Sequence, residues 1–171
     1  MVRFRRIEQH DRFFFVTTNL REGAAPFSAD ERSQVLSKVG ECRRDFFLFA
    51  YVVMPTHLHL LLAPNGKPLT MIMRNIKSTT GFSISKQRKS PGPIWQERYF
   101  DNITRRVKAF WEKVEYIHNN PVAAGLVARP EDWKWSSARC HLKMDGAPLA
   151  TDPIDLPAEG ETLLWPAPYG R

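Results

Sequence analysis

The stretch Tyr51-Val-Val-Met-Pro-Thr-His-Leu-His-Leu-Leu-Leu62 decides the fold. Most of its residues are strand formers, and Pro55-Thr56 interrupts the run as a two-residue turn. It therefore reads as a β-hairpin with His57 and His59 on the second strand. Side chains alternate along a strand, so both imidazoles share one face while Leu58, Leu60 and Leu62 share the other. One face is apolar and suits a core. The other carries two convergent nitrogens able to ligate a metal. A single histidine there would read as an ordinary half-exposed side chain. Two on one face of an otherwise apolar strand are harder to explain by packing, because burying an unpaired polar group is costly.

The flanking sequence supplies the other elements. Residues 12–20 (Arg-Phe-Phe-Phe-Val-Thr-Thr-Asn-Leu) read as a first strand. Ser28 and Glu31 have the spacing of a capping box, which predicts a helix from there to about Cys42, with Val35, Leu36 and Val39 inward. Residues 46–54 are apolar on both faces, as a central strand would be. A second helix is predicted over 69–89 with Ile72, Ile76 and Phe82 inward, although Gly81 weakens its middle. Ser90-Pro-Gly-Pro93 breaks it. Residues 94–103 read as a fourth strand, and 105–119 as a third helix ending near Pro121. A short helix is expected near Pro130. The order β-α-β-β-α-β is that of the α+β ferredoxin-like fold, an antiparallel sheet with helices on one face, here with further helices appended toward the C-terminus.

Composition narrows the function. A chain of 171 residues suits one main domain. Its net charge of +7 and pI near 9.7 favour a polyanionic partner. Met1-Val-Arg-Phe-Arg-Arg6 has charge without a following apolar run, so no signal peptide is expected, and no run approaches a membrane span. Cys42 and Cys140 lie far apart and read as reduced thiols of a cytosolic protein. Between Phe46 and Gln96 there is no acidic residue, while Lys67, Arg74, Lys77, Lys86, Arg88 and Lys89 all fall there. A solvated face normally mixes signs. A one-sign stripe beside the histidine pair reads as a phosphate track, and Arg105 and Arg106 extend it. Trp95, Tyr99 and Phe100 follow and are candidates to stack unpaired bases. Taken singly, each is as well explained as a packed strand residue.

The third helix holds a second chemical element. Tyr116 and Asn120 stand at i and i+4, on one helical face. Two imidazoles and the carboxamide oxygen can hold a divalent ion with positions left open, so that a phosphodiester is polarised for attack by the phenol. From spacing alone, Tyr116 reads rather as a core aromatic and Asn120 as a helix-terminating residue. Pro121 stands against this reading, because the residue before a proline disfavours helical backbone. His118 is a rival ligand on the same helix, facing away from Tyr116.

Four segments, residues 51–62, Trp95-Gln-Glu-Arg-Tyr99, Tyr116-Ile-His-Asn-Asn-Pro-Val-Ala-Ala-Gly-Leu-Val127 and Arg129-Pro-Glu-Asp-Trp-Lys-Trp-Ser-Ser137, closely resemble the REP-associated tyrosine transposases of the HUH single-tyrosine superfamily. The resemblance runs from about residue 12 to 142. It implies that His57, His59 and Asn120 bind a catalytic divalent ion, magnesium or manganese, and that Tyr116 is the nucleophile. It implies a partner as well: single-stranded DNA hairpins of the repetitive extragenic palindromes. Cutting would leave a 5′-phosphotyrosine and a free 3′-hydroxyl. A monomer in the bacterial cytoplasm, at the nucleoid, is expected, with no membrane partner.

Two other classes share part of this pattern. A non-catalytic single-stranded nucleic-acid binder would use the basic track without needing His57, His59 and Tyr116 together. A metal-dependent phosphodiesterase using water would leave no protein attached to its product. Residues 1–144 are expected to form the transposase domain. Residues 145–171, with five acids against Arg171 and prolines at 148, 153, 157, 166 and 168, read as an irregular acidic tail. That tail is either a solubilising extension or a segment folded back over the DNA track, anchored by Trp165 or Tyr169.

Overall fold

The computed structural model describes residues 12–90 and 92–154. The elements run β1 (Phe13–Asn19), α1 (Ala29–Glu41), β2 (Phe46–Val53), β3 (His57–Pro64), α2 (Leu69–Arg88), β4 (Phe100–Thr104), α3 (Val107–Ala123) and α4 (Ala138–His141). The sheet order is β2-β3-β1-β4, with every neighbouring pair antiparallel. β3 lies between β1 and β2, the split arrangement of the ferredoxin-like fold expected from the sequence. The hairpin also holds: Met54 N–H donates to the His57 carbonyl at 2.8 Å across Pro55-Thr56. A bulge between Leu48 and Ala50 interrupts the β2–β3 register, so Phe49 joins the face that carries His59.

Both faces of the sheet are covered, which is why β1, β2 and β3 are almost wholly buried. The appended helix α3 lies on the face of Phe13, Phe15, Phe49 and His59. Phe110 meets Phe13 and Phe49 edge-on, with ring centroids 5.1 and 5.7 Å away. Alternation sends Phe14, Val16, Leu58, Leu60 and Leu62 to the opposite face, on the side of α1 and α2. The capping box forms as read: Ser28 N–H donates to Glu31 Oε2 at 2.8 Å, and Glu31 N–H to Ser28 Oγ at 3.2 Å. Arg88 then grips the same Glu31 carboxylate through Nε at 2.5 Å and Nη2 at 2.8 Å. The start of α1 is thereby tied to the end of α2.

Three readings need correction. The fourth strand is Phe100–Thr104, not 94–103. Thr17 faces Phe100 and Leu20 faces Trp95, so three steps on β1 stand against five on its partner and two residues bulge out. Phe82 points outward and is 73% exposed. Leu69, Ile72, Met73, Ile76, Thr80 and Ile84 form the buried stripe of α2, and Phe82 falls half a turn away from it. The third helix does not stop at 119 but continues through a buried Pro121 to Ala123. Packing of its apolar face against the sheet outweighs the local cost of the proline.

Residues beyond 144 also contact the sheet. Asp152 N–H donates to the Leu48 carbonyl at 2.8 Å, and Leu48 N–H donates to Asp152 Oδ2 at 2.7 Å. Asp152 also pairs with Arg43. Tyr51 OH donates to the Leu149 carbonyl at 2.7 Å. Residues 149–152 therefore cap β2, an edge strand whose open peptide groups would otherwise face water or another chain. The start of the supposed tail belongs to the fold. Residues 1–11 and 155–171, including Trp165 and Tyr169, lie outside the described residues. Cys42 and Cys140 are both free. Among the described residues no helix is long and apolar enough to cross a membrane.

Candidate active site

The site is built by β3, its neighbour β1 and the helix above them. Thr17 on β1 stands opposite His59 on β3, and its Oγ1 lies 2.8 Å from His59 Nδ1. Thr56 Oγ1, in the hairpin turn, lies 3.2 Å from His57 Nδ1. With both Nδ1 atoms so occupied, both Nε2 atoms turn toward α3 and meet one carboxamide. His57 Nε2 is 3.3 Å from Asn120 Oδ1, and His59 Nε2 is 3.3 Å from Asn120 Nδ2. The two imidazole centroids are 4.7 Å apart.

Burial sets the charge state. His59 is 4% exposed, and its pKa is pushed down to about 3, first by burial and then by the nearby His57 and Lys113. His57 is lowered too, by burial, with the Asn120 contact opposing. Both rings are neutral at pH 7 and keep their Nε2 lone pairs. This donor set fits a divalent cation, because two neutral imidazoles, each held through Nδ1 by a hydroxyl, turn their Nε2 atoms toward the same carboxamide. No third histidine, cysteine or carboxylate joins them among the described residues. The Asn120 carboxamide supplies an oxygen donor beside them, and the continuation of α3 through Pro121 keeps it there.

Tyr116 lies one turn before Asn120, on the same side of α3. Its ring is 50% exposed and sits 5.5 Å from His59 and 5.7 Å from Phe15, edge-on to both. Phe15 in turn stacks on His59 at 5.3 Å. Lys113, a turn earlier, places Nζ 4.8 Å from the Phe15 ring centroid and 5.9 Å from that of Tyr116. Thr17, Thr56, Phe15 and Lys113 escaped the sequence reading. Lys113 had a signal, its i−3 spacing from Tyr116. Thr17 had none, since strand pairing alone brings it to His59. His118 is no rival ligand: its Nε2 lies 2.8 Å from Ser137 Oγ, and its ring packs on His141 at 4.7 Å.

The expected DNA-contacting residues divide into two groups. Arg74, Lys86, Lys89, Arg105 and Arg106 are exposed. Tyr99 is half-buried against the core. Three others have intramolecular work. Lys77 Nζ donates to the carbonyls of Gln96 and Glu97, each at 2.6 Å, and so pins the bulged segment before β4. Arg88 is held by Glu31. Trp95 is 4% exposed, donates Nε1–H to Thr80 Oγ1 at 2.8 Å and packs on Phe27 at 5.3 Å, so its ring offers no free face to a base. The exposed aromatic on α2 is Phe82, at the rim of a cavity of about 470 Å³ that Lys77, Gly81, Trp95 and Gln96 also line.

The chain belongs to the IS200-like transposase family, whose profile matches residues 13–120, from the first strand to Asn120. It is a transposase. Within that family it is similar to the REP-associated tyrosine transposase of Escherichia coli (strain K12), 28% identical over 148 residues that make up 81% of this chain and 87% of that protein. It is likewise similar to a putative REP-associated tyrosine transposase of Haemophilus influenzae, 26% identical over 158 residues, 85% of this chain and 90% of the relative. A solved REP-associated tyrosine transposase bound to a REP hairpin shares the fold with a TM-score of 0.70 and 26% identity, over 94% of this chain and 98% of that one.

Proposed function

We propose that this transposase binds single-stranded DNA hairpins of the repetitive extragenic palindrome type and cuts them with Tyr116. The convergence of His57 Nε2 and His59 Nε2 on Asn120, one helical turn from Tyr116, carries the proposal. The relatives' names point the same way, and one of them holds such a hairpin.

In this reading His57, His59 and Asn120 hold a divalent ion, magnesium or manganese. When bound, the ion polarises the scissile phosphate and offsets its charge. Every other task falls to the chain. Thr17 and Thr56 accept from the Nδ1–H groups and so fix the tautomers that aim Nε2 at the ligand position. The Phe15 and His59 rings support the Tyr116 ring from below, limiting its rotamers for in-line approach. Attack of the Tyr116 oxygen on phosphorus leaves a 5′-phosphotyrosine and a free 3′-hydroxyl, and a hydroxyl can later reverse the step. Arg105 and Arg106 before α3, and on the other face of the sheet Arg74 and Lys86 on α2 with Lys89 at its C-terminal end, carry the strand by its phosphates, and Phe82 offers the stacking face that Trp95 cannot. The protein works as a monomer in the cytoplasm, at the nucleoid.

The test is incubation of labelled single-stranded hairpin DNA with the full chain and manganese, followed by a denaturing gel. A covalent protein–DNA adduct is the expected product, lost in Tyr116→Phe. Cleavage without any adduct would point instead to water as the nucleophile, and binding without cleavage to a recognition module.

A further inference from the structure

We propose that Lys113 is a second catalytic group of this site, a fixed cation that holds a non-bridging oxygen of the scissile phosphate while Tyr116 attacks. The inference rests on the reading of Tyr116 as the nucleophile.

Its position is specific. Lys113 and Tyr116 stand at i and i+3, on the same face of α3. Nζ lies over the Phe15 ring at 4.8 Å and beside the Tyr116 ring at 5.9 Å, while Phe15 itself stacks on His59. The ammonium is thus near both the tyrosine and the imidazole pair. Among the described residues no ion pair includes it. Glu112 and Glu115 are neighbours in sequence, but both are exposed, and at i−1 and i+2 a helix turns them away.

A cation in that place needs an explanation. It works against a second cation at His57 and His59, since like charges repel in a partly buried site. The contact with the Phe15 ring offsets only a small part of that repulsion. The arrangement becomes favourable when an anion lies between the two positive charges. A phosphodiester meets that requirement, with one non-bridging oxygen for each side.

The step balances without further reactants. The bond from Tyr116 Oη to phosphorus forms as the bond from phosphorus to the 3′ oxygen breaks. The phenolic proton passes to solvent and the departing 3′ oxygen takes one up, so the diester keeps its single negative charge. Lys113 remains protonated throughout. It donates a hydrogen bond that strengthens as charge gathers on the non-bridging oxygen.

The experiment is single-turnover cleavage of a labelled single-stranded hairpin by the full chain with saturating manganese. Lys113→Met should cut about 100-fold more slowly at saturating DNA, as loss of one transition-state donor does elsewhere, with hairpin affinity and melting temperature nearly unchanged. Lys113→Arg should recover most of the rate, because it restores the charge. A neutral methylphosphonate at the scissile position should slow the wild type far more than it slows Lys113→Met, an effect that a packing role would not produce. If Lys113→Met melts early, Lys113→Gln replaces it with the same expectations. Cleavage at the wild-type rate, or an equal methylphosphonate penalty in both proteins, would overturn the proposal while leaving Tyr116 in place. An adduct in Tyr116→Phe would overturn the nucleophile assignment itself.

Discussion

Thr17 Oγ1 lies 2.8 Å from His59 Nδ1, and this contact across β1 and β3 decides which nitrogen of a buried ring faces the site. Removing the hydroxyl frees the ring to flip or to change tautomer. Thr17→Val should fold, since valine is β-branched and suits a strand. Its manganese affinity or activity should fall about 10–100-fold, the usual cost of losing a second-partner contact to a ligating histidine. Manganese titration of cleavage, with a thermal melt as control, checks this. An unaltered manganese requirement would show that packing against Phe15 alone orients the ring.

Tyr116→Phe deletes one oxygen from a half-exposed ring and leaves its contacts with Phe15 and His59. Stability should change by no more than about 0.5 kcal/mol, as at other surface positions. Adduct formation should disappear while hairpin binding persists, read by denaturing gel and by filter binding.

The pH dependence of the metal-free protein follows from its buried histidines. His59 and His118 have pKa values near 3 in the fold, against an ordinary value of 6.5. Below pH 6.5 the unfolded chain takes up protons that the folded chain refuses. The unfolded state then binds more protons, so stability falls as pH falls. Between pH 6.5 and 5 the slope should steepen toward a ceiling of about 1.4 kcal/mol per pH unit for each group. Urea unfolding at three pH values with a chelator present measures it. A flat stability profile across that window would mean that both rings open to solvent readily.

Cutting the chain after Met144 should destabilise it rather than merely release the DNA track. It removes the bonds from Asp152 to Leu48 and Arg43 and those between Tyr51 and Leu149. Asp152→Ala alone should cost about 1–3 kcal/mol, the range for a partner of a buried backbone group and a cation. The shortened chain should also self-associate, because β2 regains an open edge around Leu48, although residues 135–137 still cover residues 51–53. Ending the chain after Ile154 keeps these bonds and is the cleaner test of whether the following residues restrain cutting. Melting curves and light scattering on both truncations distinguish the two effects.

The basic residues should separate by role. Arg74, Lys86 and Lys89 changed together to alanine should flatten the slope of log affinity against log salt by about 2, at roughly 0.7 per single-strand phosphate contact. Arg88→Ala should instead lower the melting temperature, because it abandons the buried Glu31 carboxylate and unties α1 from α2. An Arg88 variant with normal stability and a flattened salt slope would reverse that division.

Much of this was legible in the chain itself. Alternation across His57-Leu-His59, the Pro55-Thr56 turn and the Ser28/Glu31 box fixed the hairpin, the face of the histidines and the start of α1, because these depend on residues within a few positions of one another. The i, i+4 spacing of Tyr116 and Asn120 likewise needed only a helix. Tertiary structure decided what local rules left open or misjudged. Pro121 stays helical because the buried face of α3 outweighs one missing hydrogen bond. Trp95 goes inward and Phe82 outward because Thr80 offers the indole a partner and the α2 stripe passes Phe82 by. Thr17 reaches His59, Lys113 reaches Phe15 and Asp152 reaches Leu48 across separations of 42, 98 and 104 positions. A short segment of sequence carries its own periodicity and capping, but the energy of a contact between distant segments exists only once the fold has brought them together.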